Sequence, residues 1–584
     1  MRIKKSVSKN SVSYSVIENV RDINGNSTTK VVKALGNEQE IREKHPGVDP
    51  EEWAREYAKK LTEEKKRNSE KVIIKQDPNK YISKGNKRSY NIGYLFLKSI
   101  YHQLKLDKIC KEITDRHNFS YDLDKTLALL IYMRILHPTS KRGTLEKADD
   151  LLESHSIEEQ HMYRALDILA KESDIIEKAV YKNSTAIVER KTELLYYDCT
   201  NYYFETEEAV GLKQYGMSKE NRPNPIVQMG LFMDGSGLPL AFVINPGNQN
   251  EQPTLKPLEK RILKDFQLSK FVVCTDAGLS SHENRLYNSM NDRAFVTTQS
   301  IKKLKKHLKD WALNPSGWHC VGSTQVTNDK KKKQSINLNN LDLETDTQIY
   351  YKERWMNENG LEQKLIVTFS PKHKRYQANI REKQIERAQT KVDNPSRIEK
   401  KRANNPDRFI QSTHVTNEGE IAQKSSHTIN SAMIDKEAVY DGFYGVCTNL
   451  ENSPAEIVRI NQRRWEIEES FRILKNEMRT RPVFLQKDER IKAHFLVCFL
   501  SLLTYRLIEN RIDESATCCE IIQTLRDMRV LEYTNEGYIP TYTRTDLTDK
   551  LHNVFGFRTD TEIVTIQKMK KILKQIKNIN STHF

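Results

Sequence analysis

The spacing of apolar and polar residues predicts a multidomain chain in which helical and strand-rich stretches alternate. Residues 1–36 alternate polar and apolar side chains around Asn24-Gly25, which predicts a β-hairpin. A charged connector extends to residue 90, and apolar stripes of helical period then run through residues 91–190. Short helices with basic loops indicate either a helix-turn-helix-like DNA-binding domain or a plain helical bundle, and the pattern leaves both open.

From residue 191 the pattern becomes rich in strands. The segment ELLYYDCTNYYFE is followed by a second predicted hairpin, with Asp234-Gly235 at its tip, and by a predicted helix over Leu255–Phe266. The run FVVCTDAG and the stretch Arg293–Gln299 predict two further strands. Three antiparallel strands, a helix and further strands are typical of an α/β domain built on a mixed sheet.

Residues 301–436 interrupt this pattern and are too long to be a loop. They contain the basic run Lys330–Lys333, a predicted strand at Lys364–Phe369 and a basic helix at Lys372–Thr390, so we predict an insertion domain. The strand-rich core resumes at residue 437 and ends with an apolar, buried helix over Ile491–Asn510. The pattern divides the chain into six segments: 1–90, 91–190, 191–300, 301–436, 437–510 and a basic helical tail, 511–584.

One predicted helix, Ile457–Met478, carries charged residues beside its apolar stripe. Helical geometry places Arg464, Glu468 and Lys475 on one face that adjoins the stripe instead of opposing it. The ordinary interpretation is a surface helix that the Arg464–Glu468 pair, four residues apart, stabilises slightly. The other interpretation is a functional carboxylate held between two cations at the edge of a core.

Two aspartates, Asp198 and Asp276, favour the functional interpretation because they lie within or at the end of predicted strands. Asp276 closes an apolar run at the edge where α/β sheets place their ligands, and Asp198 needs a compensating partner in its apolar strand. Taken singly, Asp276 could cap the following helix, and Asp198 could form an Asx turn with Thr200. Together with Glu468 they provide the oxygen ligands that a pair of Mg²⁺ ions requires for phosphodiester transfer.

Composition indicates the kind of partner. The 95 basic and 79 acidic side chains leave a formal charge of +16, which is typical of proteins that bind a polyanion such as nucleic acid. The eight cysteines show neither zinc-binding nor disulfide spacing, and the N-terminus has no apolar signal core. The longest apolar run is too short to span a bilayer. We therefore expect a cytoplasmic, nucleoid-associated protein without a membrane partner.

Three segments in this order, YYDCTNYYFE, VVCTDAGLSS and NQRRWEIEESFRILK, closely resemble the DDE-class transposases of bacterial insertion sequences. The chain resembles in particular the long-chain branch of the insertion-sequence-four superfamily, which carries a Tyr-Arg-Glu-Lys signature. The resemblance covers roughly residues 190–480. It implies a ribonuclease-H-like catalytic core with a strand-containing insertion, in which Asp198, Asp276 and Glu468 are the catalytic metal ligands.

The resemblance also implies roles for four residues around Glu468. Arg464 and Lys475 match the signature and would hold DNA phosphates, the arginine in bidentate fashion and the lysine as a point charge. The signature tyrosine is replaced by Asn461, which can still donate to a phosphate oxygen. Trp465 could stack on an unpaired base or pack inside the fold.

The function that the resemblance implies is cut-and-paste transposition. Such an enzyme would bind the terminal inverted repeats of its own element as a synaptic homodimer, cleave the double-stranded ends and join them to target DNA. It would use two Mg²⁺ ions, with Mn²⁺ as a substitute. Three alternatives remain: another ribonuclease-H-fold nuclease or integrase, a transposase-derived DNA-binding regulator without catalysis, and an RNA-binding protein.

Overall fold

A computed structural model describes residues 1–8, 11–21, 27–69, 78–79, 81–153, 157–321, 335–394, 405–415, 421–533 and 536–578. The chain divides into two compact units. The smaller unit comprises Met1–Arg88, Leu531–Pro540 and Asp560–Met569. The larger unit, which holds every residue of the predicted site, comprises Ser89–Val530, Thr541–Thr559 and Lys570–Phe584.

The smaller unit begins with an antiparallel sheet of three strands: β1 (Arg2–Val7), β2 (Val12–Arg21) and β3 (Ser27–Asn37). The predicted hairpin corresponds to β2 and β3, whereas the additional strand β1, whose residues are mostly exposed, was not predicted. The Asn24-Gly25 turn lies outside the described residues. Two helices follow within the predicted charged connector, α1 (Glu38–Lys44) and α2 (Pro50–Ser69).

A helical region begins the larger unit. After strand β4 (Ser89–Asn91) come α3 (Tyr94–Gln103), α4 (Leu106–Arg116), α5 (Leu123–Leu136), α6 (Lys141–Glu146), α7 (Glu159–Lys171) and α8 (Ser173–Ser184). Helix α5 is apolar on nearly all sides and buried, which is typical of a helix inside a core. The predicted helical character of residues 91–190 is therefore confirmed, and Ser140 caps α6.

The large sheet has nine described strands. In spatial order they are β10 (His319–Cys320), β11 (Tyr350–Glu358), β12 (Leu361–Phe369), β15 (Phe443–Thr448), β9 (Arg293–Gln299), β8 (Phe271–Thr275), β5 (Leu194–Tyr203), β6 (Ile226–Asp234) and β7 (Pro239–Pro246). Strand β5 is parallel to β8, and β8 is parallel to β9, whereas the other described pairs are antiparallel. The predicted mixed sheet is therefore confirmed. Its first part contains β5 (Leu194–Tyr203), β6 (Ile226–Asp234), β7 (Pro239–Pro246), α9 (Leu255–Asp265), β8 (Phe271–Thr275), α10 (His282–Tyr287) and β9 (Arg293–Gln299).

Strands of the predicted insertion extend this same sheet. The segment contains α11 (Lys306–Leu313), β10 (His319–Cys320), β11 (Tyr350–Glu358), β12 (Leu361–Phe369), α12 (Pro371–Asp393), β13 (Ile410–Val415), β14 (Ile421–Ile429) and α13 (Ser431–Ala438). Strand β12 pairs with β15 (Phe443–Thr448), while β13 and β14 pair with each other. The predicted strand and basic helix correspond to β12 and α12. The run Lys330–Lys333 lies outside the described residues.

After β15 the chain returns to helices. They are α14 (Pro454–Gln462), α15 (Trp465–Arg472), a π-helical turn (Ile473–Glu477), α16 (Asp488–Arg511) and α17 (Cys518–Asp527). The C-terminal elements are β16 (Arg529–Tyr533), β17 (Gly537–Pro540), α18 (Asp546–Phe555), β18 (Val564–Thr565) and α19 (Ile566–Lys577). Helix α19 confirms the predicted basic helix of the tail.

Helix α16 joins the helical region to the sheet. It packs against α3, α5 and α7 on one side and against β7 on another. The ring centroids of Phe499 and Phe242 lie 5.2 Å apart, and those of Phe495 and Tyr202 lie 5.0 Å apart. By length and composition α16 could cross a membrane, but 94% of its apolar window is buried inside the protein, as in a core helix. Residues 91–190 thus share one core with the sheet, and their predicted DNA binding stays a prediction.

Candidate active site

Asp198 and Asp276 lie side by side on the two central parallel strands. The register of β5 and β8 pairs Tyr196 with Cys274 and Tyr197 with Thr275, so the next residue of each strand is an aspartate. Adjacent strands are about 4.8 Å apart, and residues in register project to the same face of a sheet. Asp276 is therefore placed where the sequence predicted it, at the carboxyl end of β8, and Asp198 lies within β5 instead of at its end.

The face of β5 that carries Asp198 packs against the helices after β15. The hydroxyl of Tyr196 donates to the carbonyl of Ile460, at 3.0 Å, and Lys475 Nζ donates to Thr200 Oγ1, at 2.7 Å. On the opposite face, Tyr197 and Cys199 belong to the apolar cluster beneath α9. Alternation along one strand therefore directs the aspartate towards the predicted catalytic helix.

That helix is not continuous, contrary to the prediction for Ile457–Met478. Helix α14 ends at Gln462, α15 begins at Trp465, and a π-helical turn occupies Ile473–Glu477. The apolar stripe is nevertheless correct, because Ile467, Phe471, Leu474 and Met478 are buried. The break between α14 and α15 changes the direction in which Arg464 and Glu468 point relative to a continuous helix. The single π-helical turn is a second irregularity, of a kind that occurs frequently at functional sites.

Arg464 connects two of the three acidic residues. Its Nη1 lies 3.4 Å from Asp276 Oδ1, and its Nη2 lies 3.5 Å from Glu468 Oε1. Nη1 also donates to Thr298 Oγ1 at 3.0 Å, and that hydroxyl is 2.7 Å from the hydroxyl of Tyr444. The Arg464 guanidinium is buried, whereas the side chains of Asp276 and Glu468 are 48% and 62% exposed. A buried cation thus holds two carboxylates at the surface of the site.

Asp198 is a carboxyl group with a raised pKa. Burial, with a smaller contribution from the neighbouring Asp276 carboxylate, raises the pKa of Asp198 to about 6 against the opposing effects of Lys219, the Cys199 amide and Arg464. The Cys199 amide donates to Asp198 Oδ1 at 2.8 Å. A carboxyl group crowded in this way by burial and by another carboxylate gains from a nearby cation.

Lys475 approaches the site from the π-helical turn. Besides Thr200, its Nζ lies 3.8 Å from Glu220 and 5.6 Å from the ring centroid of Tyr202. Burial and the charge of Lys219 lower the pKa of Lys475 to about 8, and Asp198 opposes this effect. The lysine is therefore next to Asp198 instead of next to Glu468, whose face it shares in a regular helix.

Asn461 and Trp465 occupy different environments. Asn461 is buried, and its amide nitrogen donates to the hydroxyl of Tyr444 at 3.1 Å. Trp465 is 56% exposed, so of the two interpretations of this residue the structure favours an indole available at the surface. The proposed phosphate contact of Asn461 and the proposed stacking of Trp465 remain predictions.

Sequence reasoning missed three residues that surround these side chains, namely Lys219, Thr298 and Tyr444. Lys219 Nζ donates to the carbonyl of Cys199 and lies 3.5 Å from Glu251. None of these residues stands in a motif, and only pairing between distant strands and loops brings them to the site. The alternative role of Asp276 as a helix cap is wrong, because Ser281 caps α10.

The three carboxylates fit a divalent cation by their chemistry. Two of them project from adjacent strands, and burial raises the pKa of Asp198, so a bound cation would favour the ionised form of this carboxyl group. Glu468 is exposed enough to turn from Arg464 towards the aspartates. Within the described ranges, no three acidic, histidine or cysteine side chains already converge as a metal cluster, so binding requires this rearrangement.

The mixed α/β sheet places two aspartates side by side, and Arg464 links one of them to a glutamate on α15, so the fold has an acidic site at this edge. A family model described as "Transposase DDE domain" matches residues 204–504, more than half of the chain. The chain belongs to this family of DDE transposases. The matched range includes Asp276 and Glu468 and begins after Asp198.

The chain was also compared with curated proteins and with solved structures. No curated protein matches the chain. Among solved structures, the chain is similar to the cryo-EM structure of a piggyBac transposase synaptic complex with hairpin DNA, at 7% sequence identity. The similarity covers 84% of each chain and has a TM-score of 0.35.

Proposed function

We propose that this protein is a DNA transposase that binds the terminal inverted repeats of its insertion sequence, cleaves the ends and joins them to target DNA. The observation that supports this proposal best is the position of the three acidic residues around Arg464. Asp198 and Asp276 are neighbours in the parallel register, and Arg464 contacts both Asp276 and Glu468. Membership of the transposase family supplies the reaction class.

Asp198, Asp276 and Glu468 would hold Mg²⁺, with two ions in each site, and Mn²⁺ would substitute for it. When bound at these carboxylates, divalent cations would supply Lewis-acid activation of the attacking oxygen and charge stabilisation of the leaving oxygen of a phosphodiester. The carboxylates themselves must be ionised to bind metal. Because the pKa of Asp198 is raised to about 6, metal binding in this protein competes with a proton at Asp198.

The cations of the site would position the DNA backbone. In our proposal Arg464 holds the scissile phosphate when Glu468 turns towards the metals, because its buried guanidinium is already fixed by Thr298. Lys475 supplies a point charge beside Asp198. The exposed Trp465 stacks on a base at the opened end of the duplex.

The wider assignments follow from the resemblance to insertion-sequence transposases. We propose a ribonuclease-H-like core, and the strand order β7-β6-β5-β8-β9, with three antiparallel strands next to two parallel additions, supports it. We further propose a homodimeric synaptic complex, end recognition mainly through residues 1–190, and a cytoplasmic, nucleoid-associated location. The formal charge of +16 supports a nucleic-acid partner.

The proposal is tested by removing one carboxylate at a time, with Asp198→Asn, Asp276→Asn and Glu468→Gln. Each substitution keeps the shape of the side chain but removes one negatively charged metal ligand. Strand cleavage of end DNA should therefore fall by orders of magnitude in Mg²⁺ and in Mn²⁺. A double variant should be little worse than either single variant, because the residues act as a unit. Binding of the DNA ends, measured by gel shift, should persist.

Glu469→Gln is the matched control for Glu468→Gln. Glu469 is the next residue of α15, but its carboxylate pairs with Arg472 at 2.9 Å and with Arg506 at 3.7 Å, away from the aspartates. Its loss should leave cleavage within about twofold. Abolition of cleavage by Glu469→Gln, together with an active Glu468→Gln variant, would show that the site is assigned wrongly.

A further inference from the structure

A buried lysine in the helical region has no partner for its charge. Lys141, the first residue of α6, is only 5% exposed. Its Nζ has no hydrogen-bond partner among the described residues. Burial of an ammonium group is strongly unfavourable unless hydrogen bonds and an opposite charge compensate it. An unpaired cation in a protein interior therefore indicates a ligand site.

A second buried cation lies beside this lysine. Arg134 of α5 is also 5% exposed. Its Nη1 donates to the carbonyl oxygens of Met478 and Arg479, at 3.3 and 3.4 Å, and its Nη2 donates to the carbonyl oxygen of Thr139, at 3.3 Å. Its Nε has no acceptor in the part of the chain that the structure describes. The three carbonyl groups thus satisfy the end of the guanidinium and leave one donor over.

The two cations act on each other and on a buried histidine of α16. Burial and the charge of Arg134 lower the pKa of Lys141 to about 7, against the opposing effect of Cys498. Burial and the two cationic charges also lower the pKa of His494. Its Nε2 donates to the carbonyl oxygen of Thr480 at 3.1 Å. Of the described carboxylates, none affects the pKa of the lysine, the arginine or the histidine, so no acidic side chain compensates this charge.

A small monovalent anion fits these groups by its chemistry. Ammonium and guanidinium groups are hydrogen-bond donors only, so their partner must be an acceptor. Chloride accepts hydrogen bonds from several directions and supplies the opposite charge, whereas a water molecule would leave the charge uncompensated. A DNA phosphate does not fit, because both cations are buried in the helical region.

We propose that Lys141 and Arg134 bind a chloride ion inside the helical region. Lys141 Nζ and Arg134 Nε would donate to the ion, and His494 would stay neutral. The ion would stabilise the contact of α5 with the segment after the π-helical turn, because Arg134 holds the carbonyl groups of Met478 and Arg479. This site does not depend on the proposed transposase function.

The test compares thermal unfolding of the full-length protein in sodium chloride and in sodium gluconate at equal ionic strength. Equal ionic strength keeps the screening of surface charges the same, and gluconate is too large for a buried site. At a pH of about 6, replacing gluconate by chloride should raise Tm saturably by about 2 °C or more, because the ion binds only the folded state. Bromide should act like chloride.

The effect of chloride should weaken as the pH rises, because neutral Lys141 does not hold an anion. Burial and Arg134 lower the pKa of Lys141 to about 7 without the ion. The apparent affinity for chloride should therefore fall by up to about tenfold for each pH unit above that value. Most of the rise in Tm should be lost at a pH of about 9.

Lys141→Met removes the charge and keeps the length of the side chain. It should abolish the difference in Tm between the two salts, without lowering Tm in gluconate, because an unpaired buried charge has been removed. Lys141→Gln is a second variant with the same expected loss. Lys147→Met is the matched control, because Lys147 is exposed at the end of the same helix, and it should keep the full effect. Cys498→Ser should keep it as well, since the thiol is not the counter-charge.

Two results would overturn the chloride site. Equal Tm values of the unchanged protein in the two salts at a pH of about 6 would show that Lys141 is neutral or is paired with Cys498. An effect of chloride that both Lys141 variants retain would show that the ion binds elsewhere. Neither result bears on the proposed function, because no DNA takes part in the measurement.

Discussion

At the scale of single residues, the hydroxyl of Thr298 determines where the Arg464 guanidinium lies. It accepts a hydrogen bond from Arg464 Nη1 at 3.0 Å and lies 2.7 Å from the Tyr444 hydroxyl, which in turn accepts from Asn461 at 3.1 Å. Asn461 therefore supports Arg464 indirectly, through two hydroxyl groups. The resemblance expects a tyrosine at the position of Asn461. The Asn461 side chain is instead hydrogen-bonded to Tyr444, a tyrosine of β15.

Thr298→Val should remove this support without changing the shape of the side chain. A hydrogen bond to a charged group contributes about 1.5 kcal/mol or more, so cleavage should fall about tenfold through a lower kcat, with little change in thermal stability. Tyr444→Phe should have a smaller effect in the same direction. Ser300→Ala is the control, because its hydroxyl caps no helix, and an equal loss in that variant would contradict the assignment.

Glu259, also at the residue scale, should make stability depend on pH. It is fully buried in α9, where Oε1 accepts from Asn288 at 2.9 Å and Oε2 has no partner among the described residues. Burial raises the pKa of Glu259 to about 7, against the opposing effects of Asn288, Arg293 and Lys256. Because the folded state binds its proton more tightly than the unfolded state, this contribution to stability is present at low pH and is lost between about pH 4.5 and 7.

Glu259→Gln should therefore become more stable relative to the unchanged protein as pH rises. The relative free energy of unfolding, from urea titrations, should change by about 3 kcal/mol between pH 5 and pH 8. Other buried carboxyl groups contribute equally to both proteins and cancel in the difference. The control is Glu283→Gln, since that side chain is 84% exposed, and a pH-independent difference for Glu259→Gln would contradict the prediction.

At the scale of elements, α16 supplies the core of a helical region that precedes it by more than three hundred residues. Helices α3, α5 and α7 pack on it, and Ser501 of α16 donates to the carbonyl of Ile131. A helix such as α5, buried on nearly every side, requires neighbours all round. The segment 91–190 therefore lacks a complete core of its own.

We predict that residues 91–190 expressed alone will not unfold cooperatively and will aggregate. Fusion of residues 488–511 to this fragment through a flexible linker should restore helical circular dichroism and a cooperative thermal transition, because it restores the buried face. A fusion in which three buried α16 residues, Phe495, Leu500 and Leu503, are changed to Asp should fail. Cooperative unfolding of the isolated fragment would contradict the prediction.

At the scale of the whole molecule, we relate two features to the proposed DNA transposition. They are the excess of positive charge and the continuation of the central sheet into the insertion. Strands β11 and β12 lengthen the central sheet through β15, and β15 leads directly to the helices that carry Arg464 and Glu468. The insertion is thus connected by backbone hydrogen bonds to the strand that precedes the site. The boundaries of the six predicted segments remain predictions.

Local patterns in the sequence determined most of the elements and the three acidic residues. Strand-forming apolar runs bounded by turns identified β5 to β9, and basic or strongly apolar helix-forming runs identified α12, α16 and α19, because each pattern depends on residues only a few positions apart. Asp198 and Asp276 could be selected because they interrupt or end apolar strands, and Glu468 because its charged face adjoins the apolar stripe of its helix.

Tertiary structure alone decided the remaining features. The break between α14 and α15, the reach of Lys219 to β5, the support of Arg464 by Thr298 and the enclosure of α16 by earlier helices all depend on contacts between residues far apart in the chain. Such contacts leave no periodic trace in the sequence, because the distant partners need only the right shape and hydrogen-bonding groups where the chain brings them together.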